Sequence, residues 1–214
     1  MRTGSRLAIV CGAALTAAAA ANADSIQIFG DTANSTEGLG NFEGTITYTP
    51  TMGNMGQLLI SLTNTSPAAT GGYITAFVFN TGDAVNVNVE YISGPANFNG
   101  IFDVNGQPFG MHFVAGASTS DQFEGGGAPQ GGLGVGQTGD FEFKITADNA
   151  GDLSAEDFLS GPYDFNFVVR FRGFEPDGSD KVPAGGTMIP LPTAGAMAAS
   201  GLLLIGVRRR RRAG

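Results

Sequence analysis

An all-β fold, a single antiparallel β-sandwich, is predicted for this chain of 214 residues by three observations. Apolar and polar residues alternate with period 2 along short runs. Clusters of Gly, Asn, Pro and Asp separate the runs, and no long stretch of the body has helical period. Alternation puts successive side chains on opposite faces of a strand, so each run offers one face to a core. The runs fall at residues 25–29, 44–48, 57–63, 73–79, 85–92, 110–114, 141–145 and 163–172. In the seventh run, Phe141, Phe143 and Ile145 oppose Glu142, Lys144 and Thr146. In the last, Phe165, Phe167, Val169 and Phe171 share one face, with Asn166, Val168, Arg170 and Arg172 on the other. A single helical turn is expected at Ser154-Ala155-Glu156-Asp157, whose spacing fits a capping box. Eight or nine strands of this kind suit a jelly roll or an immunoglobulin-like order equally well, and periodicity leaves that choice open.

The two ends of the chain read differently from the body. Arg2 and Arg6 precede an apolar, Ala-rich stretch at residues 7–21, and Ala21-Asn22-Ala23 forms an A-x-A cleavage site. Residues 1–23 are therefore predicted to be a Sec signal peptide, with Asp24 the first residue of the exported protein. Cys11 lies inside the apolar stretch rather than after it, which does not suit a lipid attachment site. The sandwich is assigned to residues 24–180 and a linker to 181–187. Beyond these stand Met188 and the motif Ile189-Pro190-Leu191-Pro192, then an uncharged apolar run at 194–207, then Arg208, Arg209, Arg210, Arg211 and Arg212. At about 1.5 Å per residue the apolar run reaches roughly 21 Å as a helix, short of a hydrocarbon core about 30 Å thick. The arginines bias their flank toward the cytoplasm.

A Pro-x-Pro motif, one apolar segment and a terminal arginine cluster resemble the PEP-CTERM sorting tail of Gram-negative bacteria. Where that tail usually carries Val-Pro-Glu-Pro, this chain has Ile189-Pro190-Leu191-Pro192, similar to its Pro-Leu-Pro variant. The resemblance covers residues 188–214. It implies recognition and cutting near the motif by an exosortase, a membrane-embedded cysteine transpeptidase, and a link to exopolysaccharide and biofilm matrix. The implied partners are thus the Sec translocon, the exosortase and, transiently through the C-terminal helix, the inner membrane. The implied destination is the cell surface or the extracellular matrix.

Removing both ends changes the charge argument. All nineteen acidic residues lie between Asp24 and Thr187. Of the eleven basic residues only Lys144, Arg170, Arg172 and Lys181 lie there, so four cations face nineteen anions and the formal net charge is −15. A surface of that sign repels nucleic acid and anionic lipid. The same stretch has no cysteine, so a core rather than disulfides must hold it, and about 160 residues is ample for one domain.

Candidate chemistry in the body is sparse. Residues 125–139 contain eight glycines, including Gly134-x-Gly136-x-x-Gly139. A nucleotide loop of that spacing needs a helix to follow, whereas a strand is predicted at 141–145, so a flexible inter-strand loop is the better reading. Residues 148–156 space oxygen ligands roughly as a calcium loop does, but Ala150, the non-glycine sixth position and Leu159 break the pattern. A structural calcium site assembled from distant loops stays open, and no other cofactor is expected. Asp177-Gly178-Ser179-Asp180 reads as an ordinary turn. His112 is the only histidine and is expected on a strand surface, without a nucleophile motif nearby. No catalytic residue is assigned. The chain reads as an exported, non-enzymatic surface or matrix protein. The alternative is a surface-displayed carbohydrate-binding or carbohydrate-active sandwich, and the candidate partners of the body are exopolysaccharide or another surface protein.

Overall fold

The computed structural model describes residues 23–176 and 178–185. Ala23 is the first of them; Ala21, the motif Ile189 to Pro192 and the cluster Arg208 to Arg212 lie outside the described residues. Within them the chain forms eleven strands: β1 (Asp24–Gly30), β2 (Phe42–Pro50), β3 (Met55–Asn64), β4 (Gly71–Phe79), β5 (Asn88–Ser93), β6 (Asn99–Val104), β7 (Phe113–Ser118), β8 (Leu133–Gly134), β9 (Thr138–Thr146), β10 (Phe167–Phe174) and β11 (Gly178–Gly185). Every pairing is antiparallel. The strand order is β5-β9-β3-β2-β1-β11-β10-β4-β7-β6, with β8 beside β4. Two five-stranded layers face each other, joined where β1 meets β11 through only two register pairs, Phe29↔Gly185 and Gly30↔Ala184. At the opposite side the outer strands β5 and β6 lie next to each other: the Tyr91 hydroxyl donates to Phe98 O at 3.4 Å, and Gly100 leaves room for the Tyr91 ring. The sheet is nearly closed, which removes most of the exposed strand edge.

The predicted alternation supplies the space between the layers. Phe77 and Phe79 of β4 meet Phe141 and Phe143 of β9 edge-on, at centroid distances of 4.7 Å for Phe77–Phe141 and 5.1 Å for Phe79–Phe143. Such pairs add about 0.5–1.5 kcal/mol beyond the area they bury. Tyr48 enters the same core from β2 and donates its hydroxyl to Ala150 O at 2.7 Å. Gly56 on the neighbouring strand makes this fit, because a Cβ there would lie 2.1 Å from the Tyr48 oxygen. Burial, with a smaller push from Asp157, raises the Tyr48 pKa to about 12.

β4 from Ile74 to Phe79 and β10 from Phe167 to Val169 are buried on both faces. Outside their layer a second apolar cluster gathers Ala76, Val78, Val168, Ile101, Phe113 and Phe123. The polar half of the predicted alternation at 163–172 is therefore covered too, and the strand begins at Phe167 rather than Tyr163.

Three other expectations change. β11 runs through residues 181–185, which the sequence assigns to a linker. The Pro183-Ala184-Gly185 segment reads as a break, but β11 pairs β1 only at its last two residues, and a proline is tolerated where one edge lacks a ladder. Asp180 is not a turn residue but is buried on β11. The strand expected at 110–114 starts at Phe113, so His112 lies just before it, after the bend at Met111. The helical turn expected at Ser154 is present as a 3-10 turn, Ala155–Leu159, with the Asp157 carboxylate accepting from Ser154 N at 2.7 Å and Ser154 Oγ at 2.9 Å.

Candidate functional site

The residues singled out in the sequence serve mainly to fasten loops. Asp148 accepts from Asn86 Nδ2 at 2.7 Å, and Asn149 ties Val85 N and Asp83 O. Among the described residues no three His, Cys, Asp or Glu side chains converge on a metal position. His112 Nδ1 lies 2.9 Å from Asp103 Oδ1, with both side chains mostly in solvent. Gly134-x-Gly136-x-x-Gly139 leads from β8 directly into β9.

Two anchors were not legible in the sequence. The buried Asp180 carboxylate accepts from Thr36 Oγ1 (2.9 Å), Glu37 N (2.9 Å), Leu39 N (2.8 Å) and Gly40 N (2.9 Å), fixing the loop between β1 and β2. On the outer face of β10, Arg170 Nη1 donates to Phe123 O at 2.8 Å and Gly125 O at 2.7 Å, and Arg172 Nη1 donates to Gly127 O at 3.0 Å. The glycine-rich strap is thus held by its own carbonyls on the sheet. Burial lowers the Arg170 pKa below its ordinary value, Glu124 opposes the shift and Arg172 adds to it. Lys181 pairs with Glu124. Three of the four cations of the domain are consumed here, and the fourth, Lys144, pairs with Glu90 at 2.8 Å.

What remains open is the outer face of the other layer. Register aligns Gln27, Thr45 and Ser61 in one row across β1, β2 and β3, and Phe29, Glu43 and Thr63 in the next. These six side chains line a cleft of about 440 Å³. Phe29 is 37% exposed at its end. Thr63 is engaged with Thr138 at 2.7 Å. Gln27, Glu43, Thr45 and Ser61 take no part in the side-chain hydrogen bonds and ion pairs among the described residues. A second cleft on this layer, about 370 Å³ beside Met55 and Ile92, has its polar groups already matched: Gln57 Nε2 donates to Glu142 at 2.7 Å and Lys144 holds Glu90. A third, about 160 Å³, sits at the β1–β11 seam between Ile28, Leu159 and Phe167. Each cleft has a single carboxylate in its lining: Glu43, Glu142 and Asp164 respectively.

No protein-family model matches the chain, and no curated protein matches it either. One solved structure is similar, a biomass-sensing module from Rsgi-like proteins of Clostridium thermocellum, described as resembling a family 3 carbohydrate-binding module of the cellulosome. It shares 12% identity and a TM-score of 0.31, over 68% of this chain and 90% of that one. A likeness of that size carries no argument about activity. The class defined by fold and surface is an antiparallel all-β domain, acidic, with a polar cleft in which Gln27, Glu43, Thr45 and Ser61 have no side-chain partner among the described residues.

Proposed function

We propose that this chain is an exported, non-catalytic binding module of the cell surface or extracellular matrix, and that the outer face of β1, β2 and β3 is its binding face. The cleft lined by Gln27, Phe29, Glu43, Thr45, Ser61 and Thr63 carries the reading. Its polar groups are held in register by three paired strands, and four of them, Gln27, Glu43, Thr45 and Ser61, spend none of their side-chain capacity on other described residues, the state in which a ligand gains most from meeting them.

Delivery rests on the ends of the chain, not on the folded domain. The signal peptide, Ile189-Pro190-Leu191-Pro192 and Arg208 to Arg212 support Sec export, a passing inner-membrane intermediate and cutting by an exosortase. Mass spectrometry of the protein recovered from its host tests this directly. A chain starting at Asp24 and ending near Pro192 is expected, and one retaining Arg208 to Arg212 makes the tail a permanent anchor instead. Release of new reducing ends from matrix polysaccharide by the purified chain would overturn the non-catalytic reading.

A further inference from the structure

We infer that the β1–β2–β3 cleft binds an uncharged saccharide chain, with the Phe29 ring as a platform under one sugar and Gln27 and Glu43 as its hydrogen-bonding arms. The inference rests on the binding-face reading above and names the ligand class of that site.

Shape comes first. A volume of about 440 Å³ falls in the range of small-ligand sites, and the cleft lies on a sheet face rather than in an enclosed cavity, so a chain can pass along it. The chemistry of the lining is next. A carboxylate accepts from two neighbouring hydroxyls, a carboxamide donates and accepts side by side, and Thr and Ser hydroxyls do both. Sugar hydroxyls need this mixture, since each is donor and acceptor at once. One face of a pyranose is mostly C–H, and a half-exposed phenyl ring gives it an apolar surface. Phe29 stands directly across from Glu43 in the register, about 5 Å away as cross-strand neighbours are. Ring and carboxylate can therefore meet the same sugar.

Charge decides which saccharide. Glu43 has no cation partner among the described residues, and Asp140 stands opposite Ser61 at the edge of the adjoining row. Arg170, Arg172 and Lys181 are on the other layer, bound to the strap and to Glu124. A uronate, sulfate or phosphate polymer would face uncompensated carboxylates, while a neutral chain meets only acceptors and donors. A hydrocarbon ligand finds no apolar floor in a cleft lined by five polar side chains and one ring.

The test is affinity electrophoresis of the full-length chain in gels containing hydroxyethyl cellulose, laminarin, dextran or galactomannan, with polygalacturonate as the anionic comparison. In parallel, labelled chain is bound to matrix isolated from the host. At least one neutral polymer is expected to retard the chain. Phe29→Ala and Glu43→Gln should each weaken retardation about tenfold or more, Phe29→Tyr should keep it, and Ile92→Ala in the other cleft should leave it unchanged; melting curves of all four confirm folding. Retardation by polygalacturonate alone, or equal retardation of Phe29→Ala and the parent, overturns the inference. If no neutral polymer binds but Phe29→Ala and Glu43→Gln still abolish attachment to matrix, the ligand class is wrong and the binding face stands. If matrix attachment is also indifferent to both changes, the binding face is wrong as well.

Discussion

Replacing Asp180 by Asn changes one atom of a carboxylate that accepts four hydrogen bonds in a site closed to water. Oδ1 takes Thr36 Oγ1 and Glu37 N; Oδ2 takes Leu39 N and Gly40 N. The Asn side chain keeps one acceptor for two of these donors and turns an NH₂ group toward the other two. Hydrogen bonds to a charged group contribute about 1.5–3 kcal/mol each, and a buried donor left unpaired costs a similar amount. Two lost bonds, partly relieved by movement of the loop, give an expected destabilisation of about 3–4 kcal/mol. With a urea slope of about 2 kcal/mol/M the unfolding midpoint should fall by about 1.5–2 M. Hydrogen exchange adds a local readout, since the amides of Glu37, Leu39 and Gly40 should lose protection before the core strands do. A midpoint within about 0.3 M of the parent, with those amides still protected, would refute the idea that Asp180 holds the loop.

Other expectations follow from the same geometry. For Tyr48 the folded pKa of about 12 lies above the ordinary value near 10, so the stability it contributes is present below pH 10 and is lost as pH rises toward 12. Alkaline unfolding should steepen across that window, and Tyr48→Phe should flatten it while costing about 1–2 kcal/mol at neutral pH through the unpaired Ala150 carbonyl. Replacing Arg170 and Arg172 together by Met removes the donors that clamp the strap at Phe123, Gly125 and Gly127. Limited proteolysis should then cut near residues 124–128 at least tenfold faster, while an unchanged rate would mean that other contacts hold the strap. Phe77→Ala takes an aromatic from between the layers and should cost about 3–5 kcal/mol, measured as a loss of denaturation midpoint. Thermal melting in calcium and in chelator should coincide, and a rise of several degrees with calcium would show a site that the acidic loops alone do not reveal.

The strands were legible where one face is apolar and long enough to count: β2, β3, β4, β9 and β10 each announce themselves by alternating Phe, Ile, Leu or Val. β6 and β8 are too short or too irregular to show a period, and β11 carries Gly and Pro that argue for a break. The covering of β10 on both faces could not be read from its own residues, because Phe113 and Phe123 come from other parts of the chain. Asp180 was opaque for a related reason: its partners lie 140 to 144 positions away, at Thr36 to Gly40. The cleft itself depends on which residues of three strands stand side by side. Gln27, Thr45 and Ser61 are unremarkable in sequence, and only register makes them neighbours.

Backbone amide chemical-shift mapping on the full-length chain, titrated with the neutral oligosaccharide of whichever polymer retards it, tests the central claim most directly. Shifts confined to β1, β2 and β3, largest around Gln27, Phe29, Glu43, Thr45 and Ser61, are predicted. Shifts that gather instead at the strap and β10, or at the cleft beside Met55 and Ile92, would contradict the assignment of the binding face.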